Sequence, residues 1–272
     1  MTLVTPQRTA AAAAFDHLAV DYDAVFTHSS IGSAQRAAVW ECAKSIFTPH
    51  SRLLELNCGT GEDAIHFAEQ GFNITSCDIS PAMISQARRK ALQTHTNDHI
   101  RFYVQANEKI GDLPEKHPFS GCFSNFSGLN CVKDLNGLSS SLAPMLLPGS
   151  PLLFCFSTRY CLWEIAWHLL RADLSRCSRR WSGYHETTLG DTILSVYYPT
   201  CREISRSFAQ DFRLIAVYGI GITVPPSYVE PWIAKRPGLL QTLQRIDTAI
   251  YRLPMINRLG DHMLLHLERL HS

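Results

Sequence analysis

Glu55 and Asp78 end two short apolar runs that flank a glycine turn at Gly59 and Gly61. Residues of these types in this order can hold a nucleoside cofactor. Glycine lets the backbone approach a ligand closely, and a carboxylate closing a second strand can accept both hydroxyls of an adenosine ribose. The spacing Gly59-x-Gly61-x-x-Ala64 also satisfies the dinucleotide fingerprint, so a dinucleotide oxidoreductase stays open on the glycines alone. Glu55 separates the two, because its charge would repel a ligand's phosphates and attract an ammonium group.

These residues need a strand, a turn, a helix and a second strand to position them. Leu53, Leu54 and Leu56 supply the first strand, and residues 62–68 a helix stopping at Gly71 with Glu62 and Asp63 near its positive end. Residues 72–77 read as the second strand. Ser80 and Pro81 then open a helix whose inner side carries Met83, Ile84, Ala87 and Ala91: serine accepts a free amide, and proline lacks the amide that would be left unpaired.

The run LLELNCGTG followed by CDISPAM resembles the first two motifs of the class I S-adenosylmethionine-dependent methyltransferases. The resemblance implies an α/β, Rossmann-like sheet of seven strands, mostly parallel with the last antiparallel, and helical lid insertions. S-adenosyl-L-methionine is the implied cofactor. Glu55 would orient its methionine end, the loop Asn57, Cys58, Gly59, Thr60 and Gly61 would pass beneath, and Asp78, with Ile79 and Met83 nearby, would hold the ribose end. Asn57 departs from the family's usual glycine, and asparagine tolerates unusual dihedrals better than most residues. Ala106 and Asn107 follow the third strand, where the family binds adenine, with Gln105 a rival. Asn125 and Phe126 end the fourth. The segment FDHLAVDYDAVF resembles an N-terminal lid in which Tyr22 would cover the cofactor.

Further strands are expected over residues 100–105, 119–126, 151–156, 212–218 and 263–270, and helices over 10–20, 34–47, 138–147, 200–208 and 238–251. The resemblance covers roughly residues 50–158 and 200–220 and the last ten. The expected organisation is one methyltransferase domain with an N-terminal lid at 10–47 and substrate-covering insertions at 159–198 and 221–260.

The 272 residues carry a formal net charge of +1 with both signs spread along the chain, which offers no electrostatic track for nucleic acid. Nine cysteines without a CxxC pair read as reduced and buried, in a cytoplasmic protein with no metal site. No segment is long enough to span a bilayer. A small-molecule substrate is expected, with no nucleic acid or membrane partner, for a monomer or homodimer.

Two aromatic-rich insertions argue for an enclosed pocket around a small or medium organic acceptor. Arg36, Asn130, Arg159, Trp163, Arg180, Tyr184 and Trp232 are the candidates to touch it, arginine because its fork suits carboxylate or phosphate. His185, Glu164 and Tyr228 are the candidates to take or orient a proton. Surface pairing explains Arg36, a turn explains Asn130, and a hydrogen bond within the lid explains His185 equally well. Oxygen methylation in the biosynthesis of a specialised metabolite is the first expectation. Nitrogen or carbon methylation, a protein or RNA methyltransferase, and an inactive cofactor-binding scaffold stay open.

Overall fold

The computed structural model describes residues 10–189 and 192–271. Strands β1 (Arg52–Leu56), β2 (Asn73–Asp78), β3 (Ile100–Val104), β4 (Gly121–Ser124) and β5 (Pro151–Ser157) are followed by a hairpin, β6 (Tyr184–Leu189) and β7 (Thr192–Tyr197). Strands β8 (Phe212–Ile220) and β9 (His262–Arg269) complete the set. Seven of them form one sheet in the order β3-β2-β1-β4-β5-β9-β8. Strand β9 runs antiparallel to both β5 and β8, so it alone opposes the direction of the other six. This is the expected sheet, and the terminal DHMLLHLERL is indeed its antiparallel strand.

Both faces of the sheet are buried, which is why its strands are nearly continuous in apolar residues. Leu54, Leu56, Phe154 and Phe156 pack on one face against α5 (Leu135–Leu142) and α8 (Cys201–Phe208). Leu53, Phe123 and Leu153 pack on the other against α2 (Ser30–Lys44), α3 (Glu62–Glu69) and α4 (Pro81–Gln93). Ser80 caps α4 by accepting the Met83 amide, and a full capping box of Thr200 and Glu203 starts α8. The strand order reverses between β1 and β4, and in open α/β sheets such a switch point opens a crevice at the carboxyl ends of the strands.

The segments outside the sheet meet over that crevice. Helix α1 (Ala10–Leu18) and the π-helical turn Asp23–Thr27 precede α2. Thr60 donates to Asp23 at 2.6 Å, and Lys90 bridges Asp23 and Glu62 at 2.8 Å each, clasping this segment to the glycine turn. The first insertion contains α6 (Leu162–Leu169), α7 (Leu174–Cys177) and the β6–β7 hairpin; the second contains α9 (Glu230–Ile233) and α10 (Pro237–Ile250). Glu230 accepts the Ser30 and Ile31 amides at 2.7 and 2.9 Å and so tethers α9 to the start of α2. Sequence periodicity marks only the helical face of the first insertion; the hairpin is a correction. Its residues alternate as a two-faced strand pair should, with Thr187 and Leu189 inward and Glu186 and Thr188 outward.

Candidate functional site

A cavity of about 460 Å³ lies across the carboxyl ends of β1 to β5 and beneath the insertions. Asn57, Gly59, Asp78, Ile79, Met83, Asn107, Asn125 and Phe126 border its inner part, together with Tyr22 from the N-terminal segment. Gly59 has φ +53°, and a Cβ placed there would stand 3.8 Å from the Tyr22 ring, so the ring lies over the turn. Gly61 has φ +80° and its missing side chain lets Ala87 pack against the turn from below.

Asp78 organises this end. One carboxylate oxygen accepts the Gly59 amide and the other the Ser80 amide, both at 2.9 Å, so a single side chain fixes both loops. Burial pushes its pKa up to about 6 against the pull of those amides. Asn57 occupies the left-handed region at φ +55°, as its place in the glycine loop demands. Its side-chain oxygen accepts from Asn107 at 3.2 Å, and its Cβ fills the space left by Gly128. Phe126 and Ser127, at φ +46° and +65°, also hold left-handed backbone where β4 meets the cavity. Cys58, Thr60 and Ala106 stand behind this wall: Cys58 and Thr60 are buried, and Ala106 precedes the short helix Asn107–Asp112. Gln105 turns away to donate to the Lys109 carbonyl, which leaves Asn107 as the amide at the cavity.

Glu55 requires a correction. It does not border the cavity, because alternation along β1 directs it onto the face shared with Leu53, opposite Ser76 of β2. Ser76 donates to it at 2.6 Å, and burial, reinforced by the Asp63 carboxylate, holds its pKa well above the usual carboxylate range.

The acid that supports the site from behind is Asp63, one residue into α3, through the cavity residues Arg36 and Asn125. It accepts Arg36 Nη1 and Trp40 Nε1 at 2.6 Å each, and Asn125 Nδ2 at 3.3 Å. Burial works against the Arg36 charge, and Asp63 together with Tyr22 and Glu62 more than offsets it, raising the guanidinium pKa. Arg36 borders the cavity with its guanidinium 4.6 Å from the centre of the Phe126 ring.

The outer part of the cavity is walled by the hairpin, through Thr187, Leu189, Leu194 and Val196, and by Tyr228 after the Pro225-Pro226 pair. Burial raises the Tyr228 phenol well above its usual range. Arg180 reaches the same chamber while its Nη2 forms an ion pair with Glu164 at 2.7 Å and donates to Asp261 at 3.0 Å.

Several sequence candidates fall elsewhere. Glu164 is 2% exposed and away from the cavity, locked by both Arg179 and Arg180; a carboxylate so paired anchors the lid and is not free to exchange protons. Replacing Glu164 with glutamine is expected to cost about 2 kcal/mol, below the range for breaking a buried pair because Arg180 keeps Asp261. Urea unfolding checks this, and an unchanged midpoint would contradict it. His185 faces the inner side of the hairpin opposite Val196 but beyond the cavity's border. Asn130 is fully buried and spent on the backbone of Ser157 and Tyr197, as a turn former is. Arg159 donates to the Tyr198 carbonyl and pairs with Glu203, and Trp163 donates to the Thr223 carbonyl. Tyr184 is exposed and donates to Glu186; Trp232 lies outside the cavity under Arg236.

The residues that sequence reasoning passed over include Asp63, Gln35, Ser157, Asp261 and His262. All border or support the chamber, and the signal for the last two was a polar pair opening an otherwise apolar strand.

A family model described as a methyltransferase domain matches residues 53–149. The putative methyltransferase YqeM of Bacillus subtilis (strain 168) is 31% identical over 121 residues, 42% of this chain and 45% of that protein. The demethylmenaquinone methyltransferase of Clavibacter sepedonicus is 30% identical over 148 residues, 54% and 58% of the two chains. The chain thus spans about half the length of these relatives. Among solved structures, the N-methyltransferase NodS of Bradyrhizobium japonicum WM9, in complex with S-adenosyl-l-homocysteine, superposes with a TM-score of 0.59 at 13% identity. The match covers 97% of this chain and 100% of that one. A putative S-adenosylmethionine-dependent methyltransferase from Listeria monocytogenes gives 0.59 at 16% identity over 87% and 100%. Those structural likenesses speak to the fold, and the sequence match to the segment that builds its cofactor end. With the strand order and the Gly59–Asp78 arrangement, they make residues 53–149 similar to a methyltransferase domain, carried on the sheet that those solved methyltransferase structures share.

Proposed function

We propose that this protein transfers a methyl group from S-adenosyl-L-methionine to a small or medium organic acceptor, with oxygen the favoured atom. The observation that carries the reading is the continuity of one cavity from the Asp78–Gly59 loops to a chamber closed by both insertions. Its size lies in the range of small-molecule sites, roughly 300–1,000 Å³. No helix among the described residues is long and apolar enough to cross a membrane.

The residues suit such a cofactor. Each Asp78 oxygen accepts one amide and keeps a lone pair for a ribose hydroxyl. Ile79 and Met83 offer an apolar bed, and Asn107 an amide, for an adenine. Only Nη1 of Arg36 is engaged among the described residues, which leaves the other end of the fork for the carboxylate of a methionine moiety. The bound cofactor supplies an already activated methyl group, so the protein's task is alignment and exclusion of water. Tyr22, Tyr228 and the hairpin do the latter. Glu55, behind the turn and outside the cavity border, is held mostly protonated at neutral pH and makes no contact there.

Asp78 sets a pH dependence. The carboxylate accepts hydroxyls only when ionised, so affinity for S-adenosylhomocysteine is expected to hold between pH 7 and 8. It should fall up to tenfold per unit below about pH 6. Calorimetry across that range checks it, and a flat profile would remove Asp78 from the ribose site.

Turnover tests the acceptor. A panel of phenolic and carboxylated metabolites, followed by methyl incorporation, should yield O-methyl products. Methylation confined to amines or carbon would replace oxygen as the acceptor, and cofactor binding with the chamber filled by its own side chains would favour a scaffold.

A further inference from the structure

Strand β9 begins with His262, opposite Ser157 of β5 and Ile220 of β8, and its imidazole borders the chamber. The residue is 9% exposed. Its Nδ1 is shut from solvent without a hydrogen-bond partner among the described residues, and lies 3.6 Å from Asp261 Oδ2. Nε2 is therefore the nitrogen left to the cavity. The ring stands edge-on to Phe126, centroids 5.7 Å apart, and the same Phe126 ring receives Arg36. The imidazole is thus placed between the cofactor wall and the acceptor chamber.

Asp261 cannot turn away. Its Oδ1 accepts from Arg180, its amide donates to the Gly221 carbonyl at 2.9 Å, and its own carbonyl accepts the Thr158 amide at 3.1 Å. Gly260 before it admits no side chain, since a Cβ would come within 2.6 Å of the Ile220 carbonyl. Such a framework orients one imidazole rather than merely filling space.

From this arrangement we infer that His262 is the proton acceptor for the methyl-accepting hydroxyl and that Asp261 positions its ring. The inference rests on the methyl-transfer reading. The acceptor oxygen forms its bond to the methyl carbon as the sulfur–methyl bond breaks, with sulfur keeping the electron pair. The O–H proton passes to His262 Nε2, and the imidazolium so formed stands beside the Asp261 carboxylate. The charged groups around it are Asp261, Arg180 on the lid, Arg36 across Phe126, and Glu164 behind Arg180. Burial lowers the imidazole below its usual pKa, with Asp261 pulling upward and Arg180 downward, so the ring is neutral and able to accept at pH 7. Tyr228, its phenol raised by burial, keeps its proton.

Nitrogen-15 NMR of the histidine rings in the protein saturated with S-adenosylhomocysteine tests the geometry without an acceptor. The expected result is a neutral His262 at pH 7 with its proton on Nδ1, and loss of that tautomer preference in Asp261→Asn. A proton on Nε2, an imidazolium at pH 7, or no effect of Asp261→Asn would overturn the inference. Hydroxybenzoates supplied with S-adenosylmethionine add a second readout. His262→Gln should lower kcat by roughly 100-fold or more with S-adenosylhomocysteine affinity retained, and abolish the acid limb of the rate profile. Full turnover in that variant would also overturn it. Failure of the folded wild-type protein to bind S-adenosylhomocysteine is a different result, and removes the methyl-transfer reading itself.

Discussion

Asp78→Ala is expected to weaken S-adenosylhomocysteine binding by on the order of 100-fold or more while the protein stays folded. Two hydrogen bonds from ribose hydroxyls to a charged acceptor contribute about 1.5–3 kcal/mol each, and each 1.4 kcal/mol is tenfold in affinity. Stability should respond far less, for a reason visible in the titration. The folded pKa of Asp78, about 6, lies above its ordinary 3.8, so the empty fold prefers the protonated acid. That preference stabilises fully below pH 3.8 and is lost as the pH rises through 6. At pH 8 alanine therefore removes a charge that burial disfavours, which offsets part of the loss of the Gly59 and Ser80 amide contacts. Calorimetry and thermal unfolding separate the two effects. Unchanged affinity would contradict the ribose assignment, and a collapsed fold would make Asp78 a structural residue first.

Asp63→Ala is the substitution expected to cost the most stability. It strips the buried Arg36 guanidinium of its counter-ion and leaves Trp40 and Asn125 without their acceptor. Removing one partner of a buried pair costs about 3–5 kcal/mol. For a chain of this size that is roughly 10 °C in melting temperature. The double variant Arg36→Met with Asp63→Ala should recover part of the loss, because no unpaired charge remains. A single variant as stable as the wild type would show that the cluster does not hold the site together.

The cofactor end was legible because its parts are contiguous. Strand, glycine turn, helix and second strand occupy residues 52–78 almost without interruption, and the physics of each turn is local. Alternation could have warned that Glu55 shares a face with buried Leu53, but register with Ser76 exists only in the sheet. Asp63 read as an acid near a helix's positive end; its partners Arg36 and Asn125 come from α2 and the end of β4.

The acceptor end was less legible. Strands β6 and β7 pair as a hairpin whose inward face carries His185 and Thr187 beside Leu189, so its alternation leaves little apolar signal, and its neighbour α1 lies far away in the sequence. Glu164 looked available until Arg179 and Arg180 closed on it. His262 was absorbed into an apolar strand, and only the pairing of β9 between β5 and β8 brings it beside Ser157. Charge pairs between distant segments decide which polar residues remain free, and no periodicity reports them.

Parallel titration calorimetry of the folded protein with S-adenosylhomocysteine and with NAD is the most direct measurement of what the Gly59–Asp78 turn holds. The account predicts saturable binding of S-adenosylhomocysteine at one site per chain, weakened in Asp78→Ala, and no heat from NAD. Binding of NAD instead, or uptake of neither by protein shown to be folded, would contradict it.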